Sequence, residues 1–147
     1  MEINKSHMKY IEWRSVQDLH ADILNSISEL HFIKDEQQFL EDIIRNYTLG
    51  LIAGDSYELS KSAVTELSKS KKKLGPLLKK LTSHNNKLEL LLDDNHIINE
   101  MEDFKEFHYN LMLEFNAYNA QFKSVKKQIF KLIKKILKEG KQHKLLR

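Results

Sequence analysis

Apolar residues recur along most of this chain at the spacing of a helix seam. The first series is Val16, Leu19, Ile23, Ile27, Leu30, Ile33, Gln37, Leu40, Ile44, Tyr47 and Leu51. Its period of 3.5 residues is that of one helix face packed on a partner. No Pro or Gly interrupts residues 1–49, so the pattern predicts one long helix over about 7–53. Gly50, Gly54 and the pair Asp55-Ser56 supply its stop and the next cap. The second series is Leu59, Ala63, Leu67, Ser70, Leu74, Leu77, Leu81, His84, Leu88 and Leu91. It keeps its phase through Gly75-Pro76, which predicts a helix over about 56–92 that is kinked rather than broken there. Asp93-Asp94-Asn95 makes the following turn.

The third series is Ile97, Met101, Phe104, His108, Leu111, Phe115, Tyr118, Phe122, Val125, Ile129, Leu132 and Ile136. It predicts a helix over about 96–139, stopped near Gly140, with a basic frayed tail at 141–147. Short connections make neighbouring helices antiparallel. The expected fold is therefore all-α: an up-down bundle of three long helices forming a single domain over 1–140. A four-helix count is the alternative, should a long helix break, the first near Lys34. Trp13 precedes the main seam and is expected to cover the open end of the bundle.

Composition narrows the chemistry. The 147 residues include 4 Gly, 1 Pro and no Cys. Few breakers argue against a sheet fold, and no disulfide or thiolate metal site can form. The first residues contain no apolar signal core, and no apolar run approaches the length of a membrane span. The expectation is a cytoplasmic location. No Walker loop, His-Glu-x-x-His helix or nucleophile elbow occurs, so an enzyme is not expected.

The net charge of +3 is unevenly spread. Residues 1–60 carry 5 basic and 11 acidic side chains, whereas residues 101–147 carry 11 and 5. Attraction between an acidic first part and a basic remainder within one bundle explains this without a partner. The stretch Lys126–Lys144, interleaved with Ile129, Phe130, Ile133 and Leu137, could also lie weakly on an anionic surface. Arg occurs only at 14, 45 and 147, which weighs against specific nucleic-acid recognition.

Polar residues within the seams are the candidate chemistry. Reflection of the chain about turns near residues 54 and 94 brings His84 and His108 within about one helical turn of each other. Glu29 and His31 fall in the same region, with His20 about two turns away. Imidazole and carboxylate groups from facing helices suit Zn, Fe or Cu, and this architecture resembles that of hemerythrin-like and ferritin-like proteins. The Glu-x-x-His pairs of ferritin-like sites are missing, because no Glu stands three residues before any of the 7 His. The competing reading is a buried histidine pair satisfied by hydrogen bonds. Gln37, Ser70 and Tyr118 also fall level, where polar groups can fix helix register.

Three functions follow from these residues. The first is a non-enzymatic interaction or structural protein, acting on a protein partner or on itself. The second is a metal-binding bundle using some of His20, Glu29, His31, His84 and His108. The third is a basic-face binder of nucleic acid or anionic membrane. Three slender helices leave Phe39, Leu78, Leu92 and Met112 partly uncovered, which favours a dimer.

Overall fold

The computed structural model describes residues 15–53, 56–93 and 98–145. All secondary structure among them is helical: α1 (Val16–Asn46), α2 (Thr48–Ile52), α3 (Tyr57–Asp93) and α4 (Ile98–Leu145). None of these helices is long and apolar enough to cross a membrane.

The expected start of the first helix near residue 7, Trp13, and the turn residues Asp94 and Asn95 lie outside the described residues. The start at Val16 has a local cause. Ser15 Oγ accepts the Asp18 N–H (3.1 Å), while the Ser15 N–H donates to Asp18 Oδ2 (3.3 Å). This reciprocal pair satisfies amides that have no intrahelical partner.

α1 passes unbroken through Lys34 to Gln38, but it does not reach residue 53 as expected. It ends at Asn46, and a fourth, short helix follows. At Tyr47 the backbone turns to φ −113°, ψ 20°. Its N–H is shared between the carbonyls of Ile43 (3.1 Å) and Ile44 (3.2 Å). The Thr48 hydroxyl donates to the carbonyls of Ile44 and Arg45, both at 3.0 Å. A side-chain hydroxyl thus competes with the backbone for the last carbonyls, a local signal that the apolar period does not carry.

Gly50 does not stop a helix. It sits inside α2, where an added Cβ would lie 2.7 Å from Ile136 Cγ2. α3 runs through Gly75 and Pro76 without interruption. α4 runs past Gly140, the expected stop, to Leu145. A glycine inside a helix costs only about 1 kcal/mol relative to alanine, so strong flanking formers can carry the helix through.

The chain divides into two compact units, residues 1–31 with 74–117 and residues 32–73 with 118–147. The first unit centres on Leu19, Ile23, Leu88, Leu91 and Phe104, flanked by Val16, Ile27 and Met101. Within it, Lys80 meets Glu114 and His84 meets His108, so α3 and α4 run in opposite directions there. Asp22 meets His108 and Ser26 meets Met112, so α1 and α4 run in the same direction. The second unit buries Ile33, Leu40, Leu51, Leu67, Phe122, Val125, Ile129 and Leu132. Each fully buried side chain of this kind contributes about 1.5–3 kcal/mol.

Cross-helix ion pairs link the acidic first helix to the basic later ones. Glu36 meets Lys126 at 2.6 Å, and Glu41 meets Lys71. These partly exposed pairs are worth about 0–1 kcal/mol each. They show that part of the charge asymmetry is spent within the fold.

Candidate functional site

The seam histidines converge in the first unit. His84 on α3 and His108 on α4 are both buried, 3% and 0% exposed. His84 Nε2 lies 2.8 Å from His108 Nδ1. His108 Nε2 lies 3.0 Å from Oδ2 of Asp22 on α1, a carboxylate that is still 29% exposed. Imidazole, imidazole and carboxylate therefore form one chain of hydrogen bonds from the interior towards solvent. His84 also stacks on Phe104, with ring centroids 4.1 Å apart and planes 7° from parallel.

The protons in this chain are constrained. An ionised Asp22 carboxylate only accepts, so His108 Nε2–H is the donor to it. When each ring holds one proton, His108 Nδ1 is bare and His84 Nε2–H donates to it. His84 Nδ1 is then a bare acceptor. A further proton on His108 reverses the ring-to-ring bond and places hydrogen on His84 Nδ1. In both states that Nδ1 is buried, and it has no partner among the described residues. Burial lowers the His84 pKa from 6.5 to about 4, with further lowering from charge on His108 and on Lys87. His84 is therefore neutral near pH 7.

The other expected site residues lie apart from this chain. Glu29 and His31 are exposed and His20 is half-buried. No group of three His, Asp or Glu arranged to hold a metal ion occurs among the described residues. Asp22, the third member of the chain, does not follow from the seam. Reflection about residue 94 places His108 level with about residue 28. The observed contact of His84 with His108 instead centres the reflection at residue 96, halfway between the two. Each residue of shift in that centre moves the expected level by two.

The second buried polar cluster lies in the second unit. Gln37 Nε2 donates to Ser70 Oγ and to Tyr118 Oη, both at 3.0 Å. The Tyr118 hydroxyl donates to the Ser70 carbonyl at 2.8 Å. Burial raises the Tyr118 pKa, partly offset by the bonds to Ser70 and Gln37. One residue from each long helix is thus locked to the other two.

Exposed apolar residues form two matched stripes in this second unit. On α1, Phe32 and Phe39 are 60% and 57% exposed and stand seven residues apart, hence on one face. On α4, Phe130 and Leu137 are 43% and 47% exposed at the same spacing. Asp35, Glu36 and Asp42 flank the first stripe, Glu36 paired with Lys126 and Asp42 with Arg45 of the same chain; Lys127, Lys134 and Lys138 flank the second. Sequence reasoning leaves Phe39 partly uncovered and puts Phe130 and Leu137 in an amphipathic stretch, but it does not single out Phe32. Lys131, Lys134, Lys135 and Lys138 also ring a cleft floored by Leu59 and Leu132.

Comparison with models of known protein families, with curated proteins and with solved structures finds no match to this chain.

Proposed function

We propose that the protein is a non-enzymatic helical interaction module that associates with a second copy of itself. The observation that carries this reading is the pair of exposed stripes, equal in spacing and opposite in flanking charge. Phe32 and Phe39 of one copy would pack on Phe130 and Leu137 of the other, with the acids of α1 facing the lysines of α4. Both stripes belong to the same chain, so two such contacts can close around a twofold axis. The same reading holds α1, α3 and α4 to be an antiparallel up-down bundle with α2 as a short extension. The order of contacts inside the first unit supports that arrangement.

Sedimentation of the purified full chain tests the proposal. The expected result is a dimer at roughly micromolar concentration that Phe39→Glu turns into a monomer with unchanged helical circular dichroism, and a melting temperature that rises with concentration in wild type only. Surface substitutions away from special features change stability by about 0.5 kcal/mol or less, so a folded monomeric variant is accessible. A wild-type chain that stays monomeric at roughly millimolar concentration would overturn the reading. So would a dimer that Phe39→Glu and Phe130→Glu both leave intact.

A further inference from the structure

Polarity is reversed at the start of α3, in the second unit. Counted back from Ala63, the buried face of the helix continues through Ser60 and Ser56, both buried. Leu59, which the seam placed inside, is instead 64% exposed. The Ser60 hydroxyl is buried with no partner among the described residues. Serine thus occupies the interior and leucine the surface, against the usual preference of each. The neighbouring α2 continues the pattern. Leu49 is 81% exposed and Ile52, three residues on, is exposed too, so α2 carries a protruding apolar ridge.

Cations gather at the same end of the unit. Lys131, Lys134, Lys135 and Lys138 of α4 line one cleft with Leu59. Lys135 Nζ donates to Ser56 Oγ at 2.9 Å, and the next residue, Ile136, is the side chain that approaches Gly50 of α2. None of the four lysines has a carboxylate partner among the described residues, whereas Lys69, Lys71, Lys80 and Lys126 each have one. The acids of these segments, Glu58 and Glu139, are exposed and do not pair with them. Close ammonium groups repel one another and favour a dense negative surface. Exposed leucine and isoleucine favour an apolar medium. A small anion meets only the first demand. A folded protein meets the second only by supplying a hollow for the ridge, whereas a fluid layer deforms around it. An anionic bilayer meets both, with charge at its surface and hydrocarbon beneath.

We propose that this end of the second unit binds the surface of an anionic lipid bilayer. Leu49, Ile52 and Leu59 enter the boundary of the acyl layer, and Lys131, Lys134, Lys135 and Lys138 meet the headgroups. The chain lies on the bilayer rather than across it. The proposal does not rest on self-association: Leu49, Ile52 and Leu59 belong to neither stripe, although Lys134 and Lys138 border the second.

Co-sedimentation of the full chain with lipid vesicles tests this. The chain should bind vesicles of mixed phosphatidylcholine and phosphatidylserine and leave pure phosphatidylcholine vesicles unbound. The double variant Leu49→Ser with Leu59→Ser alters only exposed side chains. It should keep its helical circular dichroism and bind the mixed vesicles about tenfold or more weakly, because two apolar side chains no longer leave water. Without vesicles it should sediment as wild type does, which separates this surface from the self-association stripes. Lys131→Glu should weaken binding about fivefold or more, the worth of one lysine near such a surface. Binding to neither vesicle, equal binding to both, or binding that the leucine variant leaves unchanged would each overturn the proposal. Retention on polyglutamate in place of vesicles would assign the lysines to an acidic protein and overturn it as well.

Discussion

His84 and His108 are bonded ring to ring, Nε2 to Nδ1 at 2.8 Å, and neither is more than 3% exposed. Each therefore depends on the other for a hydrogen bond that water does not readily replace. His84→Leu leaves His108 Nδ1 without its partner, and His108→Leu strands His84 Nε2. A buried group left unsatisfied costs about 1–3 kcal/mol. The double substitution removes both ends at once. Denaturant unfolding of the four proteins should show a double variant less destabilised than the sum of the singles, by about 0.5–3 kcal/mol. Additive effects would mean that the two rings are not bonded.

The depressed pKa of His84 makes stability depend on pH with a definite sign. Its folded value is about 4, below the ordinary 6.5. Between those values the unfolded chain binds more protons than the folded one, so stability rises with pH. The contribution is complete above about pH 6.5. It is lost as pH falls towards 4, and at about 1.4 kcal/mol per pH unit its size is on the order of 3 kcal/mol. The carboxylates also titrate at the acid end, so the comparison is with His84→Phe. The difference in unfolding free energy between about pH 7 and about pH 4.5 should be smaller in that variant. An equal pH dependence would place the titrating group elsewhere.

The helices were legible because burial imposes a period, and a period survives without knowledge of partners. Leu30, Leu81 and Leu111 are buried as their places in the seams require. His84, His108, Gln37, Ser70 and Tyr118 were legible as polar residues within that period, and all five are buried. Three things were hidden. The break at Tyr47 falls inside an apolar series that keeps its phase through it, so hydrophobicity does not mark it. Asp22 stands beside the seam, and the level of its helix depended on a turn centre misplaced by two residues. The exposed stripes of Phe32 with Phe39 and of Phe130 with Leu137 have helical spacing too, but periodicity alone does not say which of two apolar faces is covered.

The Gln37–Ser70–Tyr118 cluster should specify one packing rather than add stability. Its bonds replace bonds to water, and buried polar groups often give way to apolar ones at little cost when all are replaced together. Tyr118→Phe alone leaves one Gln37 N–H without its acceptor, and should cost about 1–3 kcal/mol. The triple variant Gln37→Leu, Ser70→Ala, Tyr118→Phe should recover most of that. It should also show doubled or broadened methyl resonances as helices sample other registers. A triple variant with single sharp resonances and wild-type stability would leave the cluster without a specifying role.

Gly50 makes the sharpest packing prediction. It lies in α2, in a segment whose backbone approaches Ile136 of α4 closely enough that a Cβ would sit 2.7 Å from Cγ2. No real Cβ contact is that short, and Cγ2 branches directly from the Ile136 Cβ, so it cannot swing away alone. Alanine would otherwise favour the helix by about 1 kcal/mol over glycine. The clash should reverse that gain, giving a net loss of about 1–3 kcal/mol through a displaced side chain or backbone. If the approach is the cause, Ile136→Ala added to Gly50→Ala should cost less than the two changes made separately, because the smaller side chain vacates the contested space. Thermal or denaturant unfolding of the single and double variants checks this. Additivity, or a Gly50→Ala variant more stable than wild type, would show that α2 and α4 do not meet at this distance.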